Sequence, residues 1–178
     1  MVPYCSVLLR NHSARCLIVS LEVFGCTLQV KSIGINIDSG TVFMNFIHDH
    51  GFIDGDHTNC IMTNGGPGPM TIQKNTCRNQ LGQTSAIALY TDTPTQLQNR
   101  LVTDNLIAGG GYSIYGGSSG DQYGITANPE NIDITNNRFS KLYYATGGAF
   151  GPYAHFDPTG LGSSFSGNVW DDDNTAVT

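Results

Sequence analysis

Charge is what this chain has least of. Only 12% of its 178 residues are Asp, Glu, Lys or Arg, and the formal net charge is −6. A nucleic-acid partner needs a clustered basic surface, and eight scattered Lys and Arg do not supply one. The same acidity disfavours a polyanionic glycan unless a metal ion bridges the two. Long apolar runs are missing too: none approaches the roughly 18 residues of a membrane span, so no membrane partner is expected. No helical period appears, which sets aside leucine-rich and βαβ repeats. The five cysteines, Cys5, Cys16, Cys26, Cys60 and Cys77, show no CxxC spacing. Neither a disulfide framework nor a thiolate zinc site is expected from them. The Gly-rich stretches lack the Gly-Lys-Ser/Thr ending and following helix of a phosphate loop. Arg10 and Arg15 interrupt the apolar residues of the first twenty positions, so no signal-peptide core is visible there.

What the chain does have is a phrase repeated along its length, φ-x-x-Asn-x-φ, where φ is apolar. It reads Val42-Phe-Met-Asn45-Phe-Ile47, Ile72-Gln-Lys-Asn75-Thr-Cys77, Val102-Thr-Asp-Asn105-Leu-Ile107, Ile134-Thr-Asn-Asn137-Arg-Phe139 and Phe165-Ser-Gly-Asn168-Val-Trp170. A sixth copy, Val23-Phe-Gly-Cys26-Thr-Leu28, has Cys in place of Asn. The Asn positions recur about every 30 residues, a period that marks a repeat architecture whose units bury apolar faces against their neighbours. Each phrase is followed by a second short apolar strand, centred on Ile35, Ile61, Ile87 and Ile114, with a less regular fifth over 154–157. Such units are too short for propeller blades. The expected fold is all-β: a right-handed parallel β-helix of about six coils over 21–178, preceded by an irregular segment or cap over 1–20. The repeated Asn is expected at a bend, where it tolerates left-handed backbone geometry and bonds its equivalent one coil away. Cys26 and Cys77, at inward positions, read as small buried residues.

The phrases Ile134-Thr-Asn-Asn-Arg-Phe139, His57-Thr-Asn-Cys-Ile61 and Ser166-Gly-Asn-Val-Trp170 resemble the right-handed parallel β-helix proteins of the pectate-lyase-like superfamily. Many members carry His-Thr-Asp-x-Ile-Gln on one coil, where this chain has His57-Thr-Asn59-Cys-Ile61-Met62. The resemblance implies an extracellular protein acting on polysaccharide. It covers lyases, glycoside hydrolases, epimerases, esterases and tailspikes. A glycoside hydrolase is favoured over a lyase because an acidic chain lacks a basic groove for uronates. The alternative is a non-catalytic glycan-binding or adhesin module.

Stacked register maps the surface. Counting on from each Asn sets His48, Asp49 and His50 beside Arg78, Asn79 and Gln80, and the loop after them adds Asp54, Asp56 and His57. Glycosidic cleavage needs a proton donor and a nucleophile or base, commonly two carboxyls. Asp54 and Asp56 are the acid/base candidates, with His50 or His57 assisting; Asp92 and Asp121 are the nearest other loop carboxylates. Asn59, Arg78, Tyr90, Tyr112 and Tyr115 would position the sugar, since Tyr offers both a flat ring and a hydroxyl. Glycines at 109–111 and 116–117 would leave an open floor beside Tyr112 and Tyr115. No cofactor is required, but His48, His50, Asp54 and Asp56 have the ligand types of a divalent-metal site, calcium included. Lys74 and Asp104 are expected to pair across adjacent coils. Asp171, Asp172 and Asp173 read as a solvated cap against edge pairing, and the ends of the helix as the places where copies could associate.

Overall fold

Each repeat folds into a rung of three short strands, and the rungs stack in register. The computed structural model describes residues 6–11, 18–29, 32–51, 55–91, 96–117 and 129–178. Strand β1 (Ser6–Asn11) lies antiparallel on β2 (Ile18–Phe24). The first rung continues with β3 (Thr27–Gln29) and β4 (Ile33–Asn36). The second is β5 (Gly40–Phe43), β6 (Phe46–His48) and β7 (Asn59–Thr63). The third is β8 (Met70–Gln73), β9 (Thr76–Asn79) and β10 (Ser85–Leu89). The fourth is β11 (Gln98–Thr103), β12 (Leu106–Gly109) and β13 (Tyr112–Tyr115). The fifth is β14 (Glu130–Thr135), β15 (Arg138–Ser140) and β16 (Gly151–Ala154), and β17 (Ser164–Ser166) and β18 (Val169–Trp170) close the stack.

These strands form three sheets: β1-β2-β5-β8-β11-β14-β17 (sheet A), β3-β6-β9-β12-β15-β18 (sheet B) and β4-β7-β10-β13-β16 (sheet C). Every rung-to-rung pairing is parallel, as in a β-solenoid. The regular stack makes about four turns rather than six coils, because the first and last copies of the phrase belong to its ends. The expected second strands pair as read, Ile35 with Ile61, Ile61 with Ile87 and Ile87 with Ile114. The fifth does not: β16 begins at Gly151, and Tyr153, not His155, meets Ile114.

The phrase explains the geometry of one corner. Its first apolar residue ends sheet A and its second begins sheet B, and the columns Val42–Ile72–Val102–Ile134 and Ile47–Cys77–Ile107–Phe139 are buried. Each Ile or Val taken from water in such a column is worth about 1.5–3 kcal/mol. The Asn side chains stack as expected. Nδ2 of Asn45 donates to Oδ1 of Asn75 (2.9 Å), Asn75 to Asn105 (3.0 Å), Asn105 to Asn137 (2.9 Å) and Asn137 to Asn168 (3.0 Å). Each Oδ1 also accepts a backbone N–H from the preceding rung. The left-handed residue, however, is the one before the Asn: Gly25, Met44, Lys74, Asp104, Asn136 and Gly167 all have φ between 55° and 66°. A single left-handed residue turns the corner, and the buried Asn satisfies the amides it leaves open.

Two further expectations are corrected, and one buried residue is added. Cys26 is disulfide-bonded rather than a plain buried thiol. Its N–H begins the ladder on Asn45 Oδ1 (3.0 Å). Lys74 sits over the Phe43 ring, and Asp104 accepts from Gln73 Nε2 (3.0 Å), so the expected cross-rung ion pair is replaced by two other contacts. Between sheets C and A, the sequence reading overlooked Arg100, which is 1% exposed in a column it shares with Met70 and Ile132. Its guanidinium donates to the carbonyls of Gly65 (2.9 Å), Gly66 (3.1 Å) and Asp38 (3.1 Å), and to those of Gly68 and Gln98. One side chain thus ties together the connections of three rungs.

Candidate functional site

The corner between sheets B and C carries most of the polar residues singled out from the sequence, and there the register outlasts the strands. His50 N donates to Gln80 Oε1 (3.1 Å) while Gln80 Nε2 donates back to the His50 carbonyl (2.7 Å). The expected row is therefore real, but its side chains do not all face outward. His50 is 4% exposed. Its Nδ1 lies 3.1 Å from the Ser32 carbonyl, which can only accept, so Nδ1 carries the proton and Nε2 faces Cys60 Sγ at 3.3 Å as the acceptor. Burial lowers the His50 pKa against the opposing pull of that carbonyl. This places His50 in the core, away from any external glycan. Asn59 is buried as well, its Nδ2 donating to the carbonyl (2.8 Å) and hydroxyl (3.1 Å) of Ser85. Both assignments to a surface site are corrected: His50 turns inward onto Ser32 and Cys60, and Asn59, the first residue of the fully buried β7, turns inward onto Ser85.

Asp56 is half-buried and His57 exposed, just ahead of Thr58, whose carbonyl accepts from Asn79 Nδ2 (2.8 Å) and Thr84 Oγ1 (2.8 Å). Asp54, Asp92 and Asp121 lie outside the described residues. On the outer face of sheet B, His48 Nδ1 contacts Asp49 Oδ2 at 2.9 Å. The His48 ring stacks on Phe46 at 4.1 Å, and the Arg78 guanidinium sits over Phe46 at 5.3 Å. So His48, Asp49 and Arg78 come together as predicted, organised by an aromatic ring that was not singled out. The His48 Nε2 is buried with no hydrogen-bond partner. Among the described residues, no group of three or more His, Cys, Asp or Glu is placed to hold a metal ion.

The tyrosines assemble more completely. Tyr90, after β10, lies 5.8 Å from Tyr115 at the end of β13, and Tyr115 lies 5.7 Å from Tyr112 at its start. Tyr112 continues to Phe150 at 5.9 Å, and His155 meets Tyr115 edge-on at 5.1 Å. These are aromatic-pair distances, and the run spans the third to fifth rungs. Phe150 is 72% exposed, leaving a ring open to solvent at the end of the run. Burial and the neighbouring Tyr112 raise the Tyr115 pKa, which keeps its phenol neutral and able to donate. Phe150 and His155 were missed in the sequence. The signal available was Phe150 itself, a large apolar residue set among Gly147, Gly148 and Gly151.

The glycines beside these rings do not leave an open floor. The 147–150 backbone packs onto them: Gly109 N donates to the Gly147 carbonyl (2.9 Å), Ala149 N to Gly110 (2.9 Å) and Phe150 N to Gly111 (2.7 Å). A Cβ at Gly109 would sit 1.8 Å from the Asn79 carbonyl oxygen, and one at Gly116 2.5 Å from Phe156 Cβ. Their role is close approach, which carries Phe150 to Tyr112.

On a different corner, between sheets A and B, an open depression of about 420 Å³ is lined by Met44, Phe46, Lys74 and Thr76, with Gly25 and Cys26. Nothing in the repeat pattern pointed to it. No family model matches the chain, and no curated protein or solved structure matches it either.

Proposed function

We propose that this β-solenoid binds polysaccharide along the run Tyr90–Tyr115–Tyr112–Phe150. The observation that carries the reading is the unbroken series of ring contacts over three rungs, ending in an exposed face. Aromatic rings with phenol hydroxyls fit sugars, whose C–H faces stack while their hydroxyls hydrogen-bond. Among the described residues the cations that sit over rings do so at Phe43, Phe46 and Trp170 rather than along this run, and the chain is acidic overall, which favours an uncharged glycan. An extracellular setting and kinship with the pectate-lyase-like superfamily accord with the repeat phrase and the solenoid.

Glycosidic cleavage is the second reading, favoured by the position of Asp56 and His57. The Asp56–His57 pair lies just ahead of Asn59 at the start of β7, and Asn59 donates to Ser85, whose neighbour in the next rung is Tyr112. In that reading Asp56, with Asp54, supplies the acid/base carboxyls and His57 assists. Affinity electrophoresis against a polysaccharide panel tests the binding reading. Tyr112→Ala and Phe150→Ala should each weaken retention roughly 3–10-fold, the worth of one stacked ring. Retention unchanged in both variants, or strongest for uronate polymers, would refute it. Release of reducing ends, or of unsaturated products absorbing in the ultraviolet, that disappears in Asp56→Asn would establish cleavage there.

A further inference from the structure

We propose that Cys60 and Cys77 are a disulfide-forming pair, a cross-link site between the second and third rungs in which His50 accepts the proton of Cys60. Both thiols are free and fully buried. Cys77 pairs with Ile47 on the neighbouring strand, and Cys60 Sγ lies 3.9 Å from the Ile47 carbonyl oxygen. Cys60 Sγ therefore lies against the strand pair that carries Cys77, close enough for each thiol to hold the other protonated, and a disulfide would bring the sulfurs to about 2.05 Å. On its other side, Cys60 Sγ faces the unprotonated Nε2 of His50 at 3.3 Å, a ring held in that tautomer by the Ser32 carbonyl. Elsewhere in the chain Cys26 already stands in a disulfide, so cross-linking chemistry is not foreign to this protein. Two thiols with an aligned base are more than small core residues need to be.

The chemistry is thiol–disulfide exchange with a low-molecular-weight disulfide of the glutathione type. Cys60 gives its proton to His50 Nε2, and its thiolate attacks one sulfur of the small disulfide, expelling one small thiolate and leaving a mixed disulfide. Cys77, losing its proton to that departing thiolate, then attacks the Cys60 sulfur and expels the second small thiolate, which takes the proton from His50. Two protein thiols and one small disulfide become one protein disulfide and two small thiols. Burial holds the Cys60 thiol well above its ordinary pKa and keeps the pair dry. Exchange therefore runs through openings of the B-to-C corner, or before the third rung closes over the second during folding.

The test uses the full chain, purified with Cys60 and Cys77 reduced, and incubated with oxidised glutathione. The protein is then denatured, alkylated and weighed. The expected result is a mass lacking the two alkyl groups that an unoxidised control takes up at Cys60 and Cys77, a linked peptide containing both residues, and a Tm higher by roughly 5–10 °C, as for a closed loop of this length. His50→Gln should slow cross-linking about tenfold or more and leave its end point unchanged; an unchanged rate removes His50 from the proposal. Cys77→Ser and Cys77→Ala should both abolish the linked peptide, and the wild-type mass reading needs neither variant to fold. Alkylation of both thiols after prolonged oxidation, or linkage of either to a different cysteine, overturns the proposal.

Discussion

Arg100 holds a position that the rungs on either side give to Met70 and Ile132, and it answers five carbonyls that no apolar residue could satisfy. Burial brings its pKa down to about 10 while the nearby Asp38 charge opposes the fall, so it stays protonated at neutral pH. Asp38 is anchored in turn by Asn64 N (2.7 Å) and Thr63 Oγ1 (3.1 Å). Removing a buried cation from such a cage strands its partners, at a cost of about 3–5 kcal/mol. Arg100→Met should therefore lower the Tm by roughly 6–20 °C despite filling the column; an unchanged melting curve would mean that water satisfies the carbonyls. His50 gives a second prediction at this scale. Its folded pKa lies below its unfolded value near 6.5, so the unfolded chain binds more protons between the two. The stability that neutral His50 contributes is complete above about pH 6.5 and is lost as pH falls through the folded value. Melting from pH 7.5 to 5 should show a decline that His50→Gln flattens; parallel curves would reject the linkage. In the sequence, Arg100 was legible only as one Arg in an apolar column five residues before the Asn, a column not drawn. His50 was placed in the correct row but given the wrong direction, because register fixes neighbours and not the way a residue beyond the strand turns its side chain.

At the level of the element, the corner between sheets A and B is a device of two residues, one strained and one bonding. The Asn half was legible because its amide must be conserved in kind from rung to rung to bond its equivalents, and so it repeats. The left-handed half was assigned to the wrong residue, because Gly, Met, Lys, Asp and Asn share that position and leave no common letter. Asn105 shows the weight of the bonding half: its amide donates to the carbonyls of Ile72 (2.9 Å) and Thr103 (2.9 Å) and to Asn137, and its oxygen receives Asn75. Asn105→Ala leaves these groups buried and unpaired, and should cost roughly 2–4 kcal/mol in urea unfolding. A loss below 1 kcal/mol would show the ladder to be dispensable. The strained half predicts the opposite sign. Met44 is 58% exposed at φ 56°, so Met44→Gly exchanges a strained residue for an unstrained one and should be neutral or stabilising by up to about 1 kcal/mol. Met44→Val should be destabilising by about 1–2 kcal/mol, since a branched Cβ fits that region worst.

For the molecule as a whole, a parallel solenoid has to end somewhere, and its last rung exposes unpaired backbone unless something covers it. Here the tail beyond β18 turns back on it. Trp170 N donates to the Thr175 carbonyl (2.8 Å), Val177 N to the Asn168 carbonyl (3.0 Å), and Val169 bridges Ala176 in antiparallel sense. Val177 is buried with the core, over an aromatic plug in which Phe165 meets Tyr153 at 4.5 Å and Phe139 at 6.3 Å. The three aspartates, read from the sequence as a solvated cap, have sharper duties. Asp171 takes Arg138 Nε (2.7 Å), Asp172 takes Lys141 Nζ (3.0 Å), and Asp173 closes a turn on Thr175 N (2.8 Å). Charge on exposed pairs of this kind adds little stability by itself, so the cap should work through backbone pairing and Val177. Deleting 171–178 should then uncover the β18 edge and the plug beside it, and drive concentration-dependent association that light scattering detects at protein concentrations where the full chain does not associate. Asp171→Asn, Asp172→Asn and Asp173→Asn together should leave the full chain's scattering unchanged. If that triple variant associates as strongly as the truncated chain, charge rather than edge covering is what keeps the end apart.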